Sequence, residues 1–343
     1  MQFEDYLFNK QREINKELII LLDKWLKENS GYNISLIPYL NAFIRACWGG
    51  KRLRGVLIKL GYDLAKGKNK EIIKIAVAYE IFQTAILIHD DVIDKSVFRR
   101  GKLSVYSALG GDHHAISQSI CLGDLGCFLS INLLSDARFN QNLKGKAVSL
   151  MSQIMHDTTL GQMLDILGAK NKNKLSEKDI LDIYYQKTAK YSFIGPLQIG
   201  AIMGGLDGIY LNKLEIIGKY LGIAYQIQDD LLVVDGKEDV LGKSVLSDIA
   251  EGKATLIYYF AYNHVGKEER EFLDKYYGYE KITVESANII KNIFVSSGAV
   301  DYSTGKVKEY LKKALREINN LLISSEARET FERFVEYLFT RKK

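Results

Sequence analysis

Two pairs of adjacent aspartates, each following a long apolar stretch, restrict most strongly how this chain can fold. The first pair stands in residues 87–94 (LIHDDVID) and the second in residues 227–232 (IQDDLL). Both preceding stretches have helical periodicity and are apolar on nearly every side, which is typical of central helices. Acidic groups at the end of a buried helix are unfavourable unless a cation neutralises them. The two clusters therefore predict two buried helices that contribute to one charged site.

The spacing of the first cluster indicates the chemistry of that site. At about 100° per residue, Asp90 and Asp94 project from one helix face about 6 Å apart along the axis, with Asp91 beside them. Such oxygen ligands suit Mg²⁺, whose remaining ligands are usually waters and substrate phosphates. The cluster therefore predicts a phosphorylated substrate, against the alternative of an ordinary acidic helix end in water. Asp229 and Asp230 alone leave that alternative open, because no acid follows four residues later.

Helical periodicity covers most of the chain, and only two prolines interrupt it. Apolar residues make up 47% of the sequence, and no linker or low-complexity tract divides it. We therefore predict an all-α protein that forms one domain over residues 1–343. No strand pair is predicted, and residues 276–279 fit no pattern. The predicted helices cover roughly residues 2–28, 37–46, 51–66, 71–94, 115–138, 143–168, 176–204, 209–235, 254–263, 284–298, 304–323 and 326–341.

Composition also narrows the class of protein. The three cysteines show no metal-ligand or redox spacing, which favours a reducing compartment. The first ten residues do not resemble a secretory leader, and no run of about 18 uncharged apolar residues is found. We expect a cytoplasmic protein without an integral membrane segment. The net charge of +5 among 47 basic and 42 acidic residues argues against nucleic acid as a partner.

Two basic motifs flank the first acidic cluster. Lys51, Arg52 and Arg54 follow two glycines at a predicted helix start, where backbone amides and cationic side chains can clamp a phosphate. The sequence RRGK at residues 99–102 begins five residues after Asp94, so its guanidinium groups can fold back toward phosphates. Taken alone, the first motif is more typical of a solvated helix end. The position of both motifs around the acids favours a diphosphate site.

Further candidates follow on later predicted helices. Lys187 and Thr188 lie in mid-helix, and Lys243 and Lys253 flank a loop that contains glycines. Each of these lysines, taken alone, is more often a surface charge. His89 stands beside the acids and is more typical of a packing residue than of a metal ligand, because Mg²⁺ prefers oxygen.

Taken together and in this order, the segments resemble a trans-type isoprenyl diphosphate synthase of the polyprenyl synthetase family. One such motif is weak evidence, whereas the ordered series over residues 49–253, about 60% of the chain, is specific. The matching segments are GGKRLR at residues 49–54, DDVID at 90–94, RRGK at 99–102, GD at 123–124, GQMLD at 161–165, KTA at 187–189, QDD at 228–230, GK at 242–243 and SDIAEGK at 247–253.

The resemblance implies an isoprenoid synthase bundle of helices around a central apolar cavity, usually in a homodimer. It implies Mg²⁺-dependent head-to-tail condensation of isopentenyl diphosphate with dimethylallyl, geranyl or farnesyl diphosphate, which gives a linear trans-polyprenyl diphosphate. The residues that it assigns form three groups. Three Mg²⁺ would be held by Asp90, Asp94 and Asp229 with Asp91 and Asp230 in support, the allylic diphosphate by Arg99, Lys187, Lys243 and Lys253, and isopentenyl diphosphate by Lys51, Arg54, Gln83 and Arg100.

The implied chemistry agrees with the residue types. Ionising the allylic carbon–oxygen bond requires the charge of the leaving diphosphate to be neutralised, which Mg²⁺ and cationic side chains provide without a protein nucleophile. The carbocation is kept from water by an apolar cavity with a few acceptors, here the Thr188 carbonyl and Gln228. After isopentenyl diphosphate attacks, the departing diphosphate is the expected base.

The chain departs from the family pattern at a few positions. Gly55 and Leu103 replace prolines that are common in the family, which affects loop stiffness more than chemistry. Val233 replaces the third acid of the second motif, whose first acid is the expected ligand. Gln83 stands where many members have histidine, which keeps a donor but removes a titratable group.

Product length is expected to depend on the residues before the first acids. In the family the product tail runs along this helix, and Ala85 and Ile86 leave a low wall where fifteen-carbon enzymes carry aromatics. Phe82 lies three residues deeper, about 4.5 Å or roughly one isoprene unit, and is the predicted floor. We predict geranylgeranyl diphosphate, with twenty carbons, and keep a medium-chain product of twenty-five to thirty-five carbons as the alternative.

Three other classes compete with this prediction. A terpene cyclase or head-to-head synthase shares the acidic helices but does not need a second diphosphate site of the Lys51, Arg54 and Arg100 type. A non-catalytic regulatory subunit of a prenyltransferase would be expected to have lost acids or basic clamps. A helical scaffold that only binds Mg²⁺ leaves the ordered basic motifs unexplained.

Overall fold

The structure is a computed structural model that describes residues 3–235 and 249–340. Over these residues the chain is almost entirely helical, so the predicted all-α fold is confirmed. The α-helices, numbered in chain order, are α1 (Phe3–Asn29), α2 (Ile37–Cys47), α3 (Leu53–Leu64), α4 (Ile72–Ile93), α5 (Val105–Ala108), α6 (His113–Asp136), α7 (Gln141–Asn171), α8 (Glu177–Tyr184), α9 (Gly195–Met203), α10 (Ile209–Asp235), α11 (Leu256–His264), α12 (Lys267–Tyr276), α13 (Val284–Ser296), α14 (Ala299–Asn319) and α15 (Ser325–Thr340).

The chain divides into two compact units. The first comprises residues 1–152, 196–211 and 323–330, and the second comprises residues 153–195, 212–322 and 331–343. The acidic end of α4 belongs to the first unit, and the acidic pair in α10 belongs to the second. One domain over residues 1–343 and a central apolar cavity both stay predictions.

The first unit is built around α4. This helix is buried over residues 75–85, and α1, α3 and α6 pack against it. Two glycines allow close helix contacts: a Cβ atom at Gly126 of α6 would lie 2.9 Å from the Cβ of Ala85, and one at Gly61 of α3 would lie 2.2 Å from the Leu197 carbonyl oxygen of α9. Because interiors are close-packed, these contacts hold the helices in fixed register. The acidic end of α4 therefore projects from a rigid core.

The second unit has a core rich in aromatic residues. Tyr258 of α11, Leu273 of α12 and Phe294 of α13 are buried together with Tyr277, which follows α12. The rings of Tyr258 and Tyr277 stack with their centroids 4.2 Å apart. This cluster fixes the chain that leads from α12 to α13.

The helix predicted over residues 176–204 is not a uniform α-helix. It consists of α8, a π-helical segment (Tyr185–Ile194) and α9. A π-helix and an α-helix place apolar residues at similar spacings over a few turns, so periodicity does not separate them. π-helical turns inside α-helices are frequent at functional sites.

Three other predictions of secondary structure were wrong or incomplete. α12 was not predicted, because its sequence KEEREFLDKY is mostly charged, although the Gly266 amide donates to Glu269 Oε2 (3.1 Å) as in a capped helix. α14 begins at Ala299 rather than at residue 304, directly after Gly298 with a φ of 77°. A strand pair does exist, β1 (Phe98–Arg99) with β2 (Lys102–Leu103), but two residues are too few to show an alternating pattern.

Within the described ranges, two helical segments are long and apolar enough to cross a membrane by length and composition. Of the most apolar 18 residues within Ile72–Ile93, 72% are buried in the protein, as expected of a core helix, whereas 28% of those within His113–Ser135 are buried. The second segment therefore exposes apolar surface.

Candidate active site

The acidic end of α4 is paired with a guanidinium group. Arg99 donates from Nε to Asp91 Oδ1 (2.7 Å) and from Nη2 to Asp90 Oδ2 (3.3 Å). The Asp91 side chain is buried, whereas Asp90 and Asp94 are half-buried. Burial lowers the pKa of Arg99, but the negative charges of Asp91 and Asp90 outweigh it and hold that pKa above its ordinary value. Asp91 is thus engaged by Arg99, while Asp90 and Asp94 keep exposed carboxylate surface.

A two-residue turn directs two adjacent arginines to different places. Arg99 of β1 pairs with Lys102 of β2, and the turn residues Arg100 and Gly101 have φ values of 54° and 72°. This is the type I′ geometry preferred by two-residue hairpins, with glycine common at the second position. Arg99 reaches the acids of α4, and Arg100 reaches the glycine pair at the start of the other basic motif.

The glycine pair accommodates the Arg100 side chain. Arg100 Nη1 donates to the Gly49 carbonyl (3.3 Å), and a Cβ atom at Gly50 would lie 2.9 Å from the Arg100 Cζ atom. Both glycines have a φ of 83°, which other residues rarely adopt. Loss of solvent lowers the pKa of Arg100, and the charges of Arg52 and Arg54 lower it further. The turn and the loop thus form a concentrated positive region.

Arg52 is directed into the core rather than toward a ligand. It is 3% exposed, has a φ of 54°, and donates to the Cys47 carbonyl (2.7 Å) and to Asn15 Oδ1 (2.7 Å). Its Nη1 lies 3.6 Å from Glu80 Oε2, and Glu80 Oε1 accepts a hydrogen bond from the Gly55 amide (2.8 Å). This buried network joins four helices at the base of the loop.

Three further residues are predicted to bind isopentenyl diphosphate: Lys51, Arg54 and Gln83. Lys51 is exposed and Arg54 is half-buried. Gln83 of α4 is 5% exposed, and within the described part of the chain its Oε1 atom accepts no hydrogen bond. A buried acceptor without a partner is unfavourable. The Gln83 side chain therefore suits a position where a ligand or a water molecule donates a hydrogen bond to Oε1.

His89 and the GD motif are explained by packing. His89 Nε2 lies 3.1 Å from the Ile120 carbonyl and 3.4 Å from Asp124 Oδ1. A Cβ atom at Gly123 would lie 2.1 Å from the same nitrogen, so the glycine provides room for the imidazole. This agrees with the prediction of a packing role for His89.

The predicted chain-length residues occupy different environments. Phe82 is 2% exposed, and its ring makes an edge contact with Tyr79 at 5.5 Å between centroids. Ile86 is half-buried. Ala85 is fully buried and faces Gly126 of α6, so its small size also permits the close contact of α4 with α6.

In the second unit, Lys187 and Thr188 lie in the π-helical segment. Lys187 Nζ is 2.6 Å from Asp165 Oδ2 of α7. A Cβ atom at Gly161 would lie 2.4 Å from the Lys187 amide nitrogen, so the GQMLD motif supplies both the space for this backbone and the carboxylate for the lysine.

A hydrogen-bonded chain connects the π-helical segment to the second acidic pair. Thr188 Oγ1 donates to Gln226 Oε1 (2.6 Å), and Gln226 Nε2 donates to Asp230 Oδ1 (2.9 Å). Tyr184 donates its hydroxyl hydrogen to Asp230 Oδ2. The role predicted for Gln228 stays a prediction. The amide paired with Thr188 is Gln226, which sequence reasoning missed. Its position four residues before Asp230, one helical turn away, was the available signal.

Burial raises the pKa of Asp230 to about 7, although Tyr184 and Gln226 donate hydrogen bonds that lower it. Between about pH 4 and pH 7 the unfolded carboxyl is ionised while the folded one keeps its proton, so this group lowers the stability of the fold as pH rises through that window. We expect Asp230→Asn to flatten this part of the profile. The check is the urea midpoint of both proteins against pH in EDTA; parallel profiles would contradict the shift.

Two further lysines, Lys253 and Lys243, are predicted to bind the allylic diphosphate. Lys253 Nζ lies 2.6 Å from Glu251 Oε2, and the lysine side chain is 27% exposed. Lys243 lies outside the described residues.

The carboxylates fit Mg²⁺ as ligands that a substrate completes. Among residues 3–235 and 249–340, no group of three or more His, Cys, Asp or Glu side chains is arranged to hold a metal by itself. In the first unit, Asp90 and Asp94 nevertheless offer carboxylate oxygens near the cationic side chain of Arg99, which attracts phosphates. Mg²⁺ is commonly held by one or two carboxylates together with waters and substrate phosphates. The donor set fits that mode.

The family model and the relatives found by sequence comparison name the same kind of enzyme. Residues 38–294 match the family model described as "Polyprenyl synthetase". A short chain isoprenyl diphosphate synthase of Methanothermobacter thermautotrophicus is 31% identical over 86% of this chain and 87% of its own length. A geranylgeranyl pyrophosphate synthase of Geoglobus acetivorans is 30% identical over 97% of each chain.

Solved structures with a similar fold include proteins of the same kind. A polyprenyl synthase of Caulobacter crescentus, solved with calcium and isoprenyl diphosphate, has a TM-score of 0.82 at 27% identity and 98% coverage of both chains. A geranylgeranyl pyrophosphate synthase of Corynebacterium glutamicum, solved with isoprenyl diphosphate and magnesium, has a TM-score of 0.91 over 100% of both chains at 23% identity, which supports the fold alone.

Proposed function

Because this chain belongs to the polyprenyl synthetase family, we propose that it makes geranylgeranyl diphosphate by Mg²⁺-dependent head-to-tail condensation of isopentenyl diphosphate with allylic diphosphates. The chain is a prenyltransferase that elongates trans-polyprenyl chains. The proposal specifies its substrates, metal, residues and product.

The turn at Arg100 and Gly101 is the observation that carries the proposal. Arg99, just before the turn, contacts the acids of α4. Arg100, in the turn, packs on the glycine loop that bears Lys51 and leads into α3, which bears Arg54. One short hairpin thus joins an acidic cluster suited to a metal-bound diphosphate to a basic cluster suited to a second diphosphate. A reaction between two diphosphates needs both clusters, whereas a terpene cyclase needs only the first.

We assign the remaining ligands from the resemblance of the motifs to the family. Asp90, Asp94 and Asp229 would hold three Mg²⁺, and Asp91 and Asp230 would orient their surroundings through Arg99, Tyr184 and Gln226. The allylic diphosphate contacts Arg99, Lys187, Lys253 and Lys243, and isopentenyl diphosphate contacts Lys51, Arg54, Arg100 and Gln83. Asp165 positions Lys187 for this role.

The reaction uses these groups without a protein nucleophile. When bound, Mg²⁺ neutralises the charge that develops on the leaving diphosphate. Arg99 and the lysines add cationic contacts to the same group as the allylic carbon–oxygen bond breaks. The double bond of isopentenyl diphosphate then forms the new carbon–carbon bond, and the departing diphosphate accepts the released proton. The Thr188 carbonyl and Gln228 are the acceptors that we assign near the cation, and Gln226 holds the Thr188 side chain.

We also propose a homodimer in the cytoplasm. The dimer is supported by the exposed apolar side chains of α6, where Phe128 is 67% and Ile120 is 44% exposed. Apolar patches of this kind often mark protein–protein contacts.

Phe82→Ala is expected to lengthen the product. Removing the ring opens the predicted floor by about one isoprene unit, and Tyr79, which touches that ring, then limits further growth. We expect the main product to shift from twenty to twenty-five carbons, measured by chromatography of the dephosphorylated products. Phe8→Ala on the surface of α1, where Phe8 is 59% exposed, is the control. If folded Phe82→Ala and Phe82→Leu both keep the original distribution, Phe82 is not the floor.

The function itself is tested with purified protein, labelled isopentenyl diphosphate and Mg²⁺. Dimethylallyl, geranyl and farnesyl diphosphates are supplied separately, and EDTA is the control. A metal-dependent series of products that ends at twenty carbons supports the proposal, and a series that ends at twenty-five to thirty-five carbons identifies a medium-chain synthase. No incorporation by folded protein would overturn the catalytic proposal in favour of a regulatory subunit.

A further inference from the structure

The chain between Ile249 and Leu256 is anchored by residues that follow α12. The Tyr277 hydroxyl donates to the Lys253 carbonyl (2.8 Å), and the Gly278 amide donates to the Ile249 carbonyl (2.9 Å). Residues 277 and 278 fall in the stretch that fitted no sequence pattern. Together they form what we call the Tyr277–Gly278 anchor.

Two glycines let the anchor and the anchored chain touch through their backbones. A Cβ atom at Gly252 would lie 2.5 Å from the Gly278 Cα atom, and one at Gly278 would lie 3.2 Å from the Gly252 Cα atom. Both residues have positive φ values, 63° and 89°. Gly252 directly precedes Lys253, so this contact fixes the backbone that carries the lysine.

The anchor is itself held rigidly. Tyr277 is 5% exposed, and its ring stacks on Tyr258 with an interplanar angle of 16° and makes an edge contact with Phe294. The far end of the anchored chain is also fixed, because the Leu256 amide donates to the Tyr184 hydroxyl (2.8 Å). Tyr184 in turn donates to Asp230. The chain is thereby connected to the second acidic pair.

We propose that the Tyr277–Gly278 anchor is a positioning element that sets Lys253 for the allylic diphosphate. This inference rests on the proposed function, in which Lys253 contacts that diphosphate. Tyr277 acts on the lysine through the backbone: its hydrogen bond fixes the Lys253 carbonyl, and the glycine contact fixes the preceding residue. The side chain then extends from a determined Cα position, with its ammonium group beside Glu251. The aromatic core of the second unit, which carries no reacting group, thus serves the site by holding one lysine.

The test is Tyr277→Phe, which removes one hydroxyl and keeps the stacked ring. We expect KM for geranyl diphosphate to rise about 3–10-fold, the loss of roughly one hydrogen bond, with KM for isopentenyl diphosphate unchanged. Tyr279→Phe, two residues along and 50% exposed, is the matched control and should change neither constant. Gly278→Ala, at a positive φ against the Gly252 backbone, should raise the same constant further.

A double-mutant cycle separates positioning from general stability. In a Lys253→Met background, Tyr277→Phe should have no further effect on KM for geranyl diphosphate, because the hydroxyl acts only through the lysine. Equal rises in both KM values, or additive effects in the cycle, would overturn the inference. Calorimetric titration with inorganic pyrophosphate and Mg²⁺ gives a second readout: Tyr277→Phe should weaken binding, and unchanged binding would count against the anchor. Failure of the proposed function would show instead as an inactive, folded wild type.

Discussion

Asp90→Asn should lower kcat by about 10²–10³-fold, the magnitude typical of losing one group that stabilises developing charge. Asparagine keeps the size of the side chain and an oxygen acceptor near Arg99, but it removes the negative charge that a cation requires. The hydrogen bond from Arg99 to Asp90 is long (3.3 Å), and Asp90 is half-buried whereas Asp91 is buried, so the Asp90 carboxylate is the more exposed of the adjacent pair. We also expect the variant to need more Mg²⁺ for half-maximal rate. Initial rates at saturating geranyl and isopentenyl diphosphates, over a Mg²⁺ series, measure both effects.

The control for this change is Asp136→Asn at the exposed end of α6, which should behave as the wild type. Thermal unfolding of all three proteins shows whether a lower rate reflects the site or the fold. A kcat within about threefold of the wild type, from folded Asp90→Asn, is incompatible with Asp90 as a metal ligand.

The residues that sequence reasoning located share one property. Asp90, Arg99, Lys187 and Asp229 stand in short local patterns, where spacing along one helix or loop already indicates a common face. The all-α fold could also be predicted from the sequence, because helical periodicity is a local signal. Their individual roles stay predictions, whereas the family and the prenyltransferase activity are confirmed.

The residues that sequence reasoning missed act over long separations. Glu80 lies inside the apolar run of α4, and only the fold shows that it faces Arg52, 28 positions earlier. Gln226 is the same residue type as Gln228, two positions away, and only the fold shows that Gln226 contacts Thr188. Tyr277 meets Lys253 because an unpredicted, mostly charged helix delivers it. Hydrophobic periodicity along the sequence does not reveal tertiary contacts of this kind.

Glycines show the same division between local and tertiary signals. Gly50 was interpreted as room for a phosphate, and in the structure it gives room to the Arg100 guanidinium. Gly161 and Gly123 belong to recognised motifs, but their reasons are the Lys187 backbone and the His89 ring. A motif can thus be read correctly as a signature while the physical cause of its glycine is visible only in the fold.

Glu80→Leu is expected to destabilise the protein by about 3–5 kcal/mol, because it leaves the buried Arg52 charge without its carboxylate. The two side chains are 2% and 5% exposed, so water cannot take the place of the missing partner. The Gly55 amide also loses its acceptor at the first turn of α3. The shift of the urea unfolding midpoint, followed by circular dichroism, measures the effect. Glu309→Leu, which breaks the exposed pair with Lys313 on α14, should cost less than about 1 kcal/mol.

The double variant Arg52→Met/Glu80→Leu distinguishes a buried ion pair from a packing defect. Replacing both charges by apolar groups is often close to neutral, so the double variant should recover most of the stability that Glu80→Leu loses. It should nevertheless bind isopentenyl diphosphate more weakly, because Arg52 no longer fixes the Cys47 carbonyl and Asn15 at the base of the loop that carries Lys51 and Arg54. We therefore expect a raised KM for isopentenyl diphosphate with an unchanged KM for geranyl diphosphate. If stability returns and both constants match the wild type, the network serves the fold alone. If stability does not return, the unpaired Arg52 charge is not the main cause of the loss in Glu80→Leu.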